Sequence, residues 1–183
     1  MKKIFIIFLS LVLCFLSACQ KEKKIKPKLP VGENIEDIPN FIIEDFKLKS
    51  TEDGKIKMEI ISKAAQIFEM KKKAKAQFVT VKFFEEDGKI SVLYGDRAEI
   101  NTETNAIQMN DNVVLKASNG IILKTNKLFW DDKEKKIFSD AEVEIIKDKN
   151  RIKGIGFESD SGLKNIKLKN KVELRARNLE NEN

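Results

Sequence analysis

The 183-residue chain contains no histidine, and its only two cysteines, Cys14 and Cys19, lie close to the N-terminus. The missing histidine removes the usual general base near neutral pH and the commonest metal ligand. With no thiol beyond Cys19, disulfides, thiolate zinc sites and cysteine nucleophiles are excluded from the body of the chain. Proline occurs three times, at Pro27, Pro30 and Pro39, and tryptophan and tyrosine once each. The excess of basic residues is interspersed with acidic ones, so the clustered Lys/Arg and stacking aromatics that nucleic acid requires are absent. No nucleophile elbow, Walker loop or dinucleotide fingerprint occurs. Gly154-Ile155-Gly156 reads as a bend or bulge. The paired carboxylates Asp131-Asp132 and Glu85-Glu86-Asp87 fall at predicted turns, where solvated turn residues are the simpler account. The residues therefore ask for no catalytic group, no metal and no cofactor, and the chain reads as something other than an enzyme.

The first eighteen residues have a different character. Lys2 and Lys3 precede an apolar run from Ile4 to Leu16 that only Ser10 interrupts, and Leu16-Ser17-Ala18-Cys19 follows. The run is too short to span a bilayer and is closed by small residues, so residues 1–18 read as a secretory signal peptide. The last four residues have the form of a bacterial lipobox, which makes Cys19 the expected lipidated N-terminus; the alternative is an ordinary signal peptide with a chance cysteine. Residues 19–40 read as the lipidated terminus and a tether. The tether holds every proline and the lysines Lys21, Lys23, Lys24, Lys26 and Lys28, which serve either solubility or weak attraction to anionic lipid. Fully extended, it reaches at most roughly 70 Å.

From Phe41 onward the period is two. The pairs Ile107/Val113, Ile137/Val143 and Ile166/Val172 recur 30 and then 29 residues apart, a repeat of one two-strand unit that must stack or curl on its neighbours to bury its apolar face. Asp53-Gly54, Asp87-Gly88 and Asn119-Gly120 supply the positive φ of tight hairpins. Polar breaks at 102–105, 131–134, 147–150 and 161–162 mark the other turns. About nine strands are expected, near 41–49, 55–67, 75–86, 89–101, 105–117, 120–130, 135–146, 151–160 and 163–176. Residues 63–75 have helix-forming composition, but strand-like flanks favour strand, turn and strand. The expected fold is all-β, an antiparallel long-strand sheet folded over itself across residues 41–177, with a polar tail at 178–183.

Alternation assigns an inward aliphatic face: Met58, Ile60, Phe78, Val92, Ile100, Ile107, Met109 and Val113, continued by Leu115, Leu123, Ile137, Val143, Ile145, Ile166, Leu168 and Val172. Phe46, Leu48, Ile56, Leu128 and Leu174 are read the same way. This face makes either a filled core or an incompletely closed interior that accepts acyl chains. The two terminal edges of an open sheet invite strand addition by a partner.

Gly95-Asp96-Arg97-Ala98-Glu99-Ile100-Asn101 followed by Ala106-Ile107-Gln108-Met109-Asn110-Asp111-Asn112-Val113 resembles the OstA/LptA/LptC superfamily. So do Gly120-Ile121-Ile122-Leu123-Lys124-Thr125, Leu128-Phe129-Trp130 and the stretch from Lys136-Ile137-Phe138-Ser139 to Val143, and Ile152-Lys153-Gly154-Ile155-Gly156-Phe157 resembles the glycine-bearing strand that follows. With one anchor and one domain, the chain is most similar to the LptC family. That resemblance implies a β-jellyroll open at its ends, whose groove shields the acyl chains of lipopolysaccharide or lipooligosaccharide. It implies passive hand-over from an inner-membrane LptB–LptF–LptG-like transporter to an LptA-like bridge, joined by edge-strand addition. A lipidated Cys19 in place of a spanning helix departs from many relatives. Gln20 does not supply the Asp that retains lipoproteins in the inner membrane of enteric bacteria. A periplasmic position on the outer face of the inner membrane therefore follows from the family role. A structural scaffold that bridges periplasmic proteins without lipid is the other reading.

Overall fold

The computed structural model describes residues 35–175. The signal segment, Cys19, most of the tether and the polar tail lie outside the described residues. After a short 3-10 turn at Ile35–Asp37, the chain forms nine strands: β1 (Phe41–Glu52), β2 (Lys55–Phe68), β3 (Lys73–Phe84), β4 (Ile90–Asn101), β5 (Ile107–Lys116), β6 (Ile122–Asp131), β7 (Lys136–Lys147), β8 (Asn150–Asp160) and β9 (Lys167–Arg175). They pair antiparallel in sequence order in one sheet whose outer strands are β1 and β9. Residues 63–75 are strand, turn and strand, with Ala65, Phe68 and Ala74 all buried. Of the three glycine turns, Asp53-Gly54 is a two-residue loop with positive φ at both positions. The turns at Gly88 and Gly120 are longer: Glu85 N donates to Lys89 O, and Ala117 N donates to Ile121 O.

Strands of 9–14 residues exceed the usual 5–6, and a twisted sheet this long cannot stay flat over a core. It creases across its middle. The line of the crease is marked by left-handed residues at Asp45, Phe78, Asp111, Asn112, Gly156 and Lys171. Register slips follow the same line, between Tyr94 and Arg97, Asn110 and Val113, Thr125 and Phe129, Ser139 and Glu142, and Lys153 and Ile155. A crease breaks ladder hydrogen bonds, and buried backbone groups need substitutes. Side chains supply them. Thr125 Oγ1 donates to Glu142 O at 2.8 Å, Ser139 Oγ donates to Lys127 O at 2.7 Å, and Ala141 N donates to Ser139 Oγ at 3.1 Å. On the outer side Arg97 Nε donates to Asp111 Oδ2 at 2.5 Å and Asn112 Nδ2 to Asp96 Oδ2 at 2.6 Å. The Gly-Asp-Arg and Asn-Asp-Asn segments are thus the two halves of one crease joint.

The crease splits the sheet into two facing half-sheets. One runs to the turns at 53–54, 85–89, 117–121 and 148–149, the other to those at 69–72, 102–105, 132–135 and 161–166. A single apolar core lies between them. In most strands the inward parity changes at the crease, which corrects part of the expected inward set. In β4, Ala98 and Ile100 face inward on one side, but Ser91 and Leu93 do so on the other, so Val92 points outward opposite Lys82 and Lys116. In β3, the inward series Ala74 and Ala76 passes to Val79, Val81 and Phe83. Phe78 sits on the crease itself and is 67% exposed. Val172 and Leu174 keep the inward parity, since Leu174 pairs with the core-packed Ile152, but nothing covers them and both are exposed. Ile56 is exposed beside the first turn. β9 begins at Lys167 rather than 163, because Asp160 accepts from Lys164 N, Asn165 N and Asn165 Nδ2 and so holds residues 161–166 as a loop.

The far rims of the half-sheets meet at Glu85. Its carboxylate accepts from Ser91 Oγ at 3.0 Å and Ser118 Oγ at 2.6 Å, and pairs with Lys164 Nζ at 2.6 Å. Asn119 Nδ2 donates to Gly162 O at 3.0 Å beside it, and the Phe83 and Trp130 rings pack below at 4.7 Å between centroids. A Cβ on Gly162 would lie 3.1 Å from both Glu85 carboxylate oxygens, so a side chain there would displace the pair. Burial pushes the Glu85 carboxyl up, but donation from Lys164, Ser118 and Ser91 outweighs it and leaves the pKa below the ordinary 4.5.

Two measurements check this architecture. A Cβ at Gly95 would lie 2.4 Å from Met109 Cγ, so Gly95→Ala is expected to cost about 1–3 kcal/mol by urea denaturation, through overpacking. Because the folded pKa of Glu85 is depressed, its contribution is present in full above the unfolded value of 4.5 and disappears as pH falls through the folded one. Glu85→Gln is expected to lose about 1–3 kcal/mol at pH 7 and to show a shallower stability loss on acidification than the unsubstituted chain. Equal acid slopes in the two proteins would remove Glu85 from the closure.

Candidate functional site

The interior face is the candidate site, and alternation along each half-strand builds it. Of the positions expected there, Met58, Ile60, Ile100, Ile107, Met109, Val113, Leu115, Leu123, Ile137, Val143 and Ile145 are all buried in the common core. Ile107/Val113 and Ile137/Val143 each place one member on either side of the crease, so the repeat seen in sequence is one residue per half-sheet from alternate strands. Ile166 and Leu168 are half-buried against this core. Ile166 belongs to the β8–β9 loop, and the third pair is therefore not equivalent to the first two. Phe78, Val92 and Val172 are not brought to the core. In the middle of the jellyroll the fill is complete: Ile60, Met109, Leu115, Leu123, Ile137, Val143 and Phe157 have no accessible surface. Between the sealed core and the open interior left by the sequence, this structure has the sealed one.

Leu93, Phe83, Trp130, Phe157 and Leu163 join the core without having been expected there. Leu93 and Phe83 were legible in principle from the alternation Ser91/Leu93 and Val79/Val81/Phe83. Trp130 follows from Leu128. Leu163 had no periodic signal, since it is a loop residue turned inward with φ 52°.

Apolar surface reaches solvent at the rims. A cavity of about 610 Å³ opens where the half-sheets meet, floored by Met58, Phe83 and Trp130 and edged by Glu85, Lys164 and Gly162. At the sheet edges Phe41, Ile42 and Ile43 of β1 and Val172 and Leu174 of β9 are exposed. A second recess of about 450 Å³ is lined by residues of β1–β5, with Ile42, Ala76 and Ala98 beside Gln66, Lys75, Gln77, Arg97 and Glu99.

The outer face is a lattice of cross-strand ion pairs. Lys73 pairs with Glu99 at 2.6 Å, Lys82 with Glu59 at 3.2 Å, and Lys136 with Glu158 at 3.2 Å. In each case donation from the lysine holds the glutamate below its ordinary pKa. These pairs keep their acids ionised, so none is a general acid near neutrality. Among the described residues no group of three or more acidic, cysteine or histidine side chains is placed to hold a metal, and no helix is long and apolar enough to cross a membrane. What the arrangement offers chemically is apolar contact inside and strand edges at its sides.

Comparison with known proteins agrees in fold and family. No curated protein matches the chain. Among solved structures, LptH from Pseudomonas aeruginosa, described as the LptA homologous periplasmic component of the conserved lipopolysaccharide transport device, superposes with a TM-score of 0.51 at 10% identity, covering 66% of this chain and 95% of that one. The likeness establishes the jellyroll architecture. The family described as LptC, lipopolysaccharide-assembly, LptC-related, matches residues 5–176. That match takes in all nine strands, including both halves of the Gly-Asp-Arg and Asn-Asp-Asn crease joint, and the chain therefore belongs to the LptC-related family of lipopolysaccharide-assembly proteins.

Proposed function

We propose that this chain is a membrane-anchored periplasmic carrier module that receives lipopolysaccharide or lipooligosaccharide from an LptB–LptF–LptG-like inner-membrane transporter and passes it to an LptA-like bridge. The observation that carries the proposal is the exposed apolar residues on the two outer strands of the described sheet, Phe41, Ile42 and Ile43 of β1 and Val172 and Leu174 of β9, set among charged neighbours. Such edges are templates for strand addition, and a jellyroll joined through them aligns its interior with that of its neighbour. Val172 and Leu174 support the lipid part of the reading: they continue the interior face beyond the point where the opposite half-sheet covers it. Acyl chains would first meet the interior face there, outside the packed core. Hand-over then needs no chemistry in this chain, only graded apolar contact.

The scaffold reading is favoured by a different observation, the complete fill of the central core. It keeps the edge pairing and dispenses with lipid. Asp substitution at Val113 or Ile137 does not separate the two readings, because burying a carboxylate at these positions costs several kcal/mol of fold stability.

A photocrosslinking residue at Val172 does separate them. In cells it is expected to yield a glycolipid adduct, with none from the outward-facing Val92; a folded, partner-bound protein with no adduct at Val172 supports the scaffold and overturns the carrier. The anchor rests on Leu16-Ser17-Ala18-Cys19. Mass spectrometry of the mature N-terminus is expected to find acylated Cys19, and an unmodified soluble product overturns the anchor.

A further inference from the structure

The β8–β9 loop on the rim of one half-sheet contacts the turns on the rim of the other. Asp160 fixes its backbone through Lys164 N, Asn165 N and Asn165 Nδ2. Leu163, in the left-handed region, is driven into the core and is 1% exposed. The next residue, Lys164, reaches across to Glu85 on the rim of the other half-sheet. Asn119 holds the loop backbone at Gly162 and Leu163 from the same side. Glu85 is 9% exposed, and no chemistry proposed for the chain uses it. Behind this contact lie Phe83, Trp130 and the cavity of about 610 Å³.

We propose that residues 161–166 are a strap that closes the rim of the jellyroll over Phe83 and Trp130, with Leu163 as plug and the Glu85–Lys164 pair as latch, and that lipid enters the interior when the strap lifts. The lipid step rests on the carrier reading above. The physical logic is that the core is full, so admission of an acyl chain requires the half-sheets to part. The crease side is stitched by side-chain hydrogen bonds spread over four strands, whereas the rim near Trp130 is joined by one loop. Lifting Leu163 vacates apolar volume beside the cavity floor. The latch is polar, and on opening both partners return to water. Opening therefore exchanges one set of hydrogen bonds for another instead of exposing a large apolar seam.

Trp130 is the sole tryptophan of the chain, is 6% exposed and lies under the strap, so it reports opening directly. Lys164→Glu places a second carboxylate beside Glu85, with Asp87 and Asp160 nearby, and is the variant to measure; Lys164→Ala serves if it fails to fold. Acrylamide quenching of Trp130, recorded well below the melting temperature, is expected at least to double in either variant. It is expected to return toward the unsubstituted value in the charge-swapped Glu85→Lys/Lys164→Glu protein. Dispersed lipopolysaccharide is expected to shield Trp130 from quenching faster in the latch variants than in the unsubstituted chain. Unchanged quenching in a folded latch variant overturns the strap. Raised quenching without faster shielding overturns its part in admitting lipid. The Val172 adduct, measured separately, shows whether the carrier reading itself has failed.

Discussion

The crease is the constraint on which the rest of this molecule depends. A single sheet of nine strands, most of them longer than ten residues, has one apolar face and no helix among the described residues to cover it. It can bury that face only against itself. Folding along a line across the strands interrupts the ladder in each of them, and every interruption leaves backbone groups facing the core. The buried polar residues of an otherwise aliphatic interior, Thr125 and Ser139 above all, sit where those groups are. Their hydroxyls are the condition for having the core, not a flaw within it. The left-handed residues on the line serve the same end, because they turn the strand without lengthening it.

This also accounts for what could and could not be read from the sequence. The existence, order and approximate ends of all nine strands were legible, since alternation and turn residues are local signals and each strand is long enough to display them. Most of the interior was legible for the same reason. Two of the failures, Val92 and Phe78, fall on or beside the crease. Val92 was assigned inward by extending the parity of Ala98 and Ile100 through Gly95 and Asp96, where the structure slips by one residue. Phe78 looked like one more apolar residue in Phe78-Val79-Thr80-Val81, and nothing local says that its backbone turns left-handed there. A slip of one residue reverses the face of everything beyond it. Val172 failed for a different reason: its parity was right, but burial depends on a covering half-sheet that ends before it. Leu163 was invisible because a loop residue enters the core through tertiary contacts alone.

The core and the candidate function pull in opposite directions, and the rim reconciles them. A packed interior with residues at zero accessibility stabilises the jellyroll, but it offers an acyl chain no room until something moves. If the half-sheets were held at the rim by a broad apolar seam, opening would cost on the order of 25 cal/mol for every Å² exposed, and the opened seam would be an aggregation surface. A buried carboxylate that pairs with one lysine and two serines behaves otherwise. It gives the closed state a specific geometry, and burial of the charges offsets part of their attraction. Gly162 fits the same account: a Cβ there would press on the carboxylate at 3.1 Å.

The outer surface shows why the edges carry the argument for partners. Along both half-sheets the outward residues of neighbouring strands alternate in sign, as in Lys82 with Glu59, Lys73 with Glu99 and Arg151 with Glu144. Charged, paired flanks keep a sheet from sticking face to face. The outer strands β1 and β9 of the described sheet mix exposed charge with exposed apolar side chains. β1 begins Phe41-Ile42-Ile43 with all three exposed, and β9 presents Val172 and Leu174. These apolar residues lie on the two outer strands of the described sheet. Strand addition, as proposed above, would pair the outward N–H and C=O groups of an outer strand and cover its apolar side chains. Because the edges lie at opposite ends of the strand order, occupation of both makes this jellyroll a middle segment of a longer sheet, with its interior face continuous from one neighbour to the next.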